Sequence, residues 1–360
     1  MLRHKLFVFG VLSSLSVSSF ATLSSSPSRP GSMYAGVSAG ASNFNMPNFV
    51  YGSQTSGGSA VDFSTRQTTV HGELIFGIVF NNNKGGSNPL DDEQPSDHQP
   101  KKKSKKSAPS PSESNDSKAR NMRLEANVRY AQGSTTTTQV LPSVNFGTIN
   151  GQTTFSSFTQ ETNNQLKTDL MYTDINIMIK ADVVPDSLQF GGTRIAITPF
   201  LGPSILLINQ KFNLKSVPTN GFGGNSNTIE EELDSNLYGI KFGANADLEV
   251  SDQFTLFAGA NVSFLNGNTT FTGKQDVSGG WGFPGTYTIS QQSSQTIRRI
   301  GGSFGGNIFL SHGSLIIYSD IDSFNSMPFA DNPSSTQRSA NVGYKGATIS
   351  SVGLTYVYPF

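Results

Sequence analysis

The stretch Val352-Gly353-Leu354-Thr355-Tyr356-Val357-Tyr358-Pro359-Phe360 ends the chain, and its alternation decides the fold. Side chains of a strand point to opposite faces in turn. Val352, Leu354, Tyr356, Tyr358 and Phe360 therefore share one face, wholly apolar and aromatic at its tip. That face needs an apolar surrounding, which is either the core of a soluble sandwich or the hydrocarbon of a bilayer.

The same alternation recurs upstream. Met122, Leu124, Ala126, Val128 and Tyr130 oppose Arg123, Glu125, Asn127 and Arg129. Ile175, Ile177, Ile179, Ala181 and Val183 oppose Asp174, Asn176, Lys180 and Asp182. Tyr238, Ile240, Phe242, Ala244, Ala246, Leu248 and Val250 oppose Lys241, Asn245, Asp247 and Glu249. Further strands are read at about 33–44, 70–80, 194–208, 254–264, 299–310, 315–322 and 347–360. The strand at 194–208 is apolar on both faces and carries Pro199 and Pro203, which weaken a ladder. The reading is all-β, with about ten antiparallel strands in a range of eight to twelve. Alternation by itself fits a sandwich as well as a barrel, so the intervals and the chain ends must choose.

The intervals alternate between long and short. Those at about 45–69, 131–170, 209–237, 265–298 and 323–346 are long and rich in Ser, Thr, Asn, Gly and Gln, whereas 184–193, 251–253 and 311–314 are short. Aromatics sort to the strand ends: Phe80, Phe254 and Phe360 at one, Tyr130, Tyr238 and Phe264 at the other. Short turns on one side, long loops on the other and two aromatic girdles are the signature of a transmembrane β-barrel. An Arg or Lys facing lipid at the bilayer midplane costs roughly 2–4 kcal/mol, so the charged faces must look into the lumen. One interval departs from the rule. Residues 81–121 should be a short turn, yet they hold Asp91-Asp92-Glu93, Lys101-Lys102-Lys103-Ser104-Lys105-Lys106 and Pro95, Pro100, Pro109 and Pro111, a composition that reads as disordered.

At the other end, Arg3, His4 and Lys5 precede an apolar run from Leu6 to Val17, and Ser19-Phe20-Ala21 supplies small residues for cleavage after Ala21. This predicts a secretory signal peptide over 1–21 and a barrel over 22–360. The run is too short for a transmembrane helix. There is no cysteine and formal net charge is zero, which removes thiolate metal sites and disulfide frameworks and gives no ground for a nucleic-acid partner.

Taken together, the chain resembles Gram-negative outer-membrane β-barrel proteins, a class in which a closing strand such as Tyr356, Tyr358 and Phe360 is the signal read by the barrel-insertion machinery. Several stretches resemble the surface-antigen family of Anaplasma and Ehrlichia type. Ser32-Met33-Tyr34-Ala35-Gly36-Val37-Ser38-Ala39-Gly40 is similar to its first strand, and Arg123-Leu124-Glu125-Ala126-Asn127-Val128-Arg129-Tyr130 to its R-x-E-x-E-x-x-Y strand. The order Asp174-Ile175-Asn176-Ile177-Met178, Thr198-Pro199-Phe200-Leu201-Gly202, Gly243-Ala244-Asn245-Ala246 and terminal Phe is shared. The likeness covers about half the mature chain. It implies a pore-forming, surface-exposed antigen with host-contacting loops. Two features depart from it: the family is read as eight-stranded, whereas 299–322 adds a hairpin, and the lysine-rich insertion has no counterpart.

The chemistry expected is that of a barrel rather than an enzyme. Of the histidines, His4 lies in the signal peptide, His98 in the insertion and His312 in a turn. His71, two residues from Glu73, is read as a polar residue near the outer rim. No zinc spacing exists. Gly301-Gly302-Ser303-Phe304-Gly305-Gly306 lacks the strand–loop–helix context of a phosphate loop and reads as close packing in the wall. Asp320 and Asp322 could hold a cation at the rim. The candidate pore lining is Glu73, Arg123, Glu125, Arg129, Asp174, Lys180, Asp182, Lys241, Asp247, Glu249, Arg299 and Asp320. The expected function is a narrow passive pore with surface display. The alternative is a closed barrel whose loops bind partner surfaces. Ten strands fall between the filled eight-stranded barrel and the open sixteen-stranded one. Expected partners are outer-membrane lipid, the insertion machinery, small solutes or ions and a host-cell surface, with no cofactor.

Overall fold

The structure, a computed structural model, describes residues 32–54, 60–81, 121–141, 144–152, 154–155, 161–183, 189–190, 193–219, 225–279, 284–332 and 339–360. Residues 1–21, read above as a signal peptide, and nearly all of the lysine-rich insertion lie outside the described residues. In chain order the strands are β1 (Met33–Asn45), β2 (Phe49–Gln54), β3 (Ala60–Phe63), β4 (Gln67–Asn81), β5 (Asn121–Leu141), β6 (Val144–Gly147), β7 (Thr154–Phe155) and β8 (Thr162–Asp182). There follow β9 (Gln189–Phe190), β10 (Thr193–Pro218), β11 (Ser226–Ser251), β12 (Phe254–Ser278), β13 (Gly285–Leu310), β14 (Gly313–Asp331) and β15 (Asn341–Pro359).

Ten of these close a ring in the order β1-β4-β5-β8-β10-β11-β12-β13-β14-β15, every pair antiparallel. The seam joins the two ends of the chain, with Val37 opposite Tyr356 and Ala35 opposite Tyr358. The protein is an up-and-down β-barrel of ten strands, as the alternation predicts. Closure leaves no strand edge around the ring. The ladder between β8 and β10 skips Gly202 and Pro203. A Cβ at Gly202 would sit 1.8 Å from the Ile177 carbonyl oxygen, so glycine permits the strands to meet beside the proline.

The intervals read as loops at 131–170, 209–237 and 265–298 are instead largely strand. Many of their polar residues occupy the outward face. On β8, Asn163, Gln165 and Lys167 point out while Leu166 and Leu170 are buried; lower down, Ile177 and Ile179 point out while Asp174, Asn176 and Lys180 are buried. The polarity of the wall thus inverts along one strand. The same inversion occurs on β11, where Asn236 gives way to Tyr238, and on β12, where Asn266 gives way to Phe264. The outer wall is apolar from the terminal end, which carries Met33 and Phe360, up to this line. Above it the wall is polar, and its inside is largely apolar with a few buried polar groups such as Asn164, Ser216, Asn227 and Gln275. Tyr238 and Phe264 stand at the line itself, and Phe264 stacks on Phe242 with centroids 6.2 Å apart.

Candidate functional site: a sealed charged layer beneath an apolar cap

The inward faces bring the predicted charges together. Arg129 Nε donates to Glu73 Oε2 at 3.1 Å, and the same guanidinium pairs with Asp320. Arg299 donates to Asp174 at 2.8 Å, lies 3.7 Å from Asp322 and stands over the Phe324 ring at 5.9 Å. Lys180 pairs with Glu125 at 2.6 Å, and Glu125 also accepts from Tyr34 at 2.8 Å. Arg123 pairs with Asp182 at 2.6 Å, and Asp182 accepts from Thr198 at 3.0 Å. Lys241 is buried in the field of Asp174, Asp322 and Arg299, and Asp247 is buried below it.

Three sequence readings need correction. Glu249 is solvent-exposed rather than part of the lining, because the ladder with β10 ends at Leu248 and the register with β12 breaks after Glu249. Asp320 and Asp322 are not an open rim site; Arg129 of β5 pairs with Asp320, and Arg299 of the adjacent β13 approaches Asp322. His71 is not at the rim but fully buried, its Nδ1 2.7 Å from Ser42 Oγ and its Nε2 2.7 Å from the Tyr318 hydroxyl. Glu73 turns away from it to Arg129, so no histidine–carboxylate pair forms there. The glycine run is close packing: a Cβ at Gly301 would meet Asn261 and Asp322 at 2.5 Å. Tyr356, Tyr358 and Phe360 all face outward, where the seam strand presents them.

An apolar layer closes the charged layer toward the far end, and apolar side chains interleave with the charges toward the terminal end, where Val79 lies opposite Arg123 and Phe257 opposite Asp247, with Ile75, Ile316 and Val357 in the same cluster. Toward the far end lie Phe44, Leu170, Leu206, Leu237, Leu265 and Ile349. Above these, β2, β3 and residues 146–149 fold into the mouth as a cap. Phe49, Phe63, Phe146 and Ile149 pack there against Leu166, Phe212, Leu233 and Phe271 of the wall. A polar chain pins this cap. The Ile149 N–H donates to Gln275 Oε1 at 2.9 Å, Gln275 Nε2 donates to Asn227 Oδ1 at 3.0 Å, and Asn227 Nδ2 donates to the Tyr51 hydroxyl at 2.9 Å. Ser216 lies 3.4 Å from that hydroxyl and donates to Asn164 at 2.7 Å. Burial pushes the Tyr51 phenol up to about 12, against the hydrogen bonds from Ser216 and Asn227. Tyr51→Phe leaves a buried amide unsatisfied and is expected to cost about 1–3 kcal/mol, read as a lower urea midpoint of the folded band on a gel.

Local sequence did not mark the cap. Phe49, Tyr51 and Phe146 sit in intervals whose composition is loop-like, and Glu231 hides in the run Glu230-Glu231-Glu232. The signal was there in one form only: had the alternation of β11 been carried above Tyr238, Glu231 would have fallen inward with Ile229 and Leu233.

No protein-family model matches the chain, and no curated protein sequence matches it. Among solved structures it is similar to the outer membrane protease OmpT of Escherichia coli, at 10% identity over 94% of this chain and 100% of that one, with a TM-score of 0.38. It is also similar to the toluene transporter TodX of P. putida, at 10% identity over 96% and 93% of the two chains and a TM-score of 0.27. A FadL homologue of Pseudomonas aeruginosa follows, at 9% identity over 91% and 90% and a TM-score of 0.20. Superpositions this loose carry no argument for the site; the architecture rests on the closed ring itself.

Proposed function

We propose that the chain is a Gram-negative outer-membrane β-barrel, closed to solutes, that displays a polar, surface-exposed wall and cap for binding. One observation carries the reading. Inward side chains of the charged layer are almost wholly inaccessible to water, with Arg299, Lys180 and Lys241 at 0% and Asp320 at 8% exposure, whereas the wall of an aqueous pore would be wet. The outward apolar band supports the membrane setting. On β8 it runs from Met171 to Ala181, close to the roughly 9–11 residues that a tilted strand needs to cross. A closed ring is also the form in which strands can lie in lipid with every backbone group paired. In this reading residues 1–21 are removed on export, and Tyr356, Tyr358 and Phe360 address the chain to the insertion machinery.

The closed barrel is thus favoured over the narrow pore, for which the resemblance to surface antigens is the remaining support. That resemblance suits display equally. An enzymatic role is not proposed, since His71 and Ser42 are sealed from substrate. Folded barrel in a planar lipid bilayer at neutral pH is expected to give no discrete conductance steps. Reproducible steps whose ion selectivity moved with Arg129→Gln or Lys180→Gln would restore the pore.

A further inference from the structure

Glu231 is a buried carboxyl that no charge answers among the described residues. It points inward from β11 into the cap, 3% exposed, opposite Phe212 of β10 and Gly273 of β12. The space over Gly273 is bounded by Ile149, Ile289 and the Glu231 methylene carbons. Every other inward neighbour on these elements is neutral: Gln210 and Leu214, Phe271 and Gln275, Tyr287 and Gln291, and the phenols of Tyr51 and Tyr287 pack in the same cap cluster. Lys211, Glu230, Glu232 and Lys274 belong to the same strands but alternate to the outward face, and Asp331 is half-buried beside Asn332. No ion pair among the described residues includes Glu231.

Among the described residues its one polar contact is with Asn332, whose Nδ2 donates to Glu231 Oε2 at 3.1 Å. Glu231 Oε1 and Asn332 Oδ1 are then both buried without a hydrogen-bond partner among the described residues. A carboxylate cannot satisfy the amide oxygen, because both are acceptors. A neutral carboxylic acid can, since its O–H donates to the amide oxygen while the amide N–H donates back.

We propose that Glu231 is held as the neutral acid, pairs with Asn332 at two points, and so latches the cap to the barrel wall until alkaline pH removes the proton. Asn332 follows Asp331 of β14, which pairs with Val50 of β2, so the Glu231–Asn332 pair ties the β2 side of the cap to β11. Ala340, whose N–H donates to the Ile149 carbonyl at 2.7 Å and whose carbonyl accepts from Gln291 at 2.9 Å, is buried among the same cap residues. Burial pushes the Glu231 carboxyl up from 4.5 to about 8, opposed in part by the Asn332 hydrogen bond. A raised acid binds its proton more tightly in the latched form than in the open one. The latch is therefore at full strength below about pH 4.5 and is lost as pH rises through about 8. The inference rests on the cap sealing the far end; conductance at about pH 6 tests that reading alone, so the two failures are distinguishable.

The chain has no cysteine, so Ala340→Cys supplies a single reporter. Its alkylation rate, divided by that of a free cysteine peptide at the same pH, is expected to rise at least about tenfold between about pH 6 and pH 9. Glu231→Gln keeps the two-point pair and carries no proton to lose, so with it the ratio should stay flat. A flat ratio without Glu231→Gln, or an equal rise with it, overturns the latch. Infrared spectra decide even if the cysteine variant does not fold. The otherwise unaltered barrel should show a carboxylic-acid carbonyl band at about pH 6 that vanishes by about pH 9 and is missing in Glu231→Gln; its absence at the lower pH overturns the proposal as well.

Discussion

Arg299→Met destabilises the folded barrel by about 3–5 kcal/mol, the cost of leaving buried carboxylates without their cation. Arg299 is 0% exposed and answers both Asp174 and Asp322, so methionine fills most of its volume and none of its charge. The loss is read as a drop in the urea midpoint of the folded, heat-modifiable band in lipid vesicles. Its cause is separable by a second change. In the methionine background, Asp174→Asn removes one orphaned charge and should recover part of the loss, because the two side chains are directly coupled. Equal midpoints for Arg299→Met and the unaltered barrel would mean that the charged layer is hydrated, and with it the sealed lumen would fall.

Phe242→Arg costs about 2–4 kcal/mol in a bilayer, because it places a cation outward near the middle of the apolar band. Phe242 is an exposed aromatic between Tyr238 at the upper line and Val250 at the terminal end. The control is Thr272→Arg on β12, which also points outward but lies above the line where Asn266 follows Phe264. That change should stay within about 0.5 kcal/mol, as at an ordinary solvated surface. Insertion efficiency and urea midpoint in vesicles measure both. Equal effects at the two positions would mean that the band does not face hydrocarbon, and the membrane reading would have to be given up.

Much of this architecture was legible before folding. Period-two alternation is a local property, and each of the ten ring strands was visible in a window of about ten residues. Register put Arg123, Glu125, Asp174, Lys180 and Lys241 on one face, since a slip by one residue would reverse every side chain, and the long and short intervals with the lipid cost of a charge turned that face inward. The strand lengths were not legible. Thr, Ser, Asn and Gln outside the membrane line look like loop residues, although there they are merely the wet side of a continuing ladder. Recognising the inversion requires knowing where the apolar surrounding stops, and Leu166 or Phe271 announces that only once its inward direction is fixed by a paired neighbour.

By itself, then, the sequence determined the barrel class, the order of its strands and the sign of each face, because backbone geometry ties side-chain direction to position along a strand. Only the tertiary structure decided what the lumen holds. Arg129 meets Asp320 across 191 positions and His71 meets Tyr318 across 247. Whether such groups leave room for water depends on the ring's radius and on the volume packed inside it, which no local window contains. The cap follows the same rule: β2 and residues 146–149 enter the mouth because the polar wall above the membrane line presents an apolar inner face that must be covered.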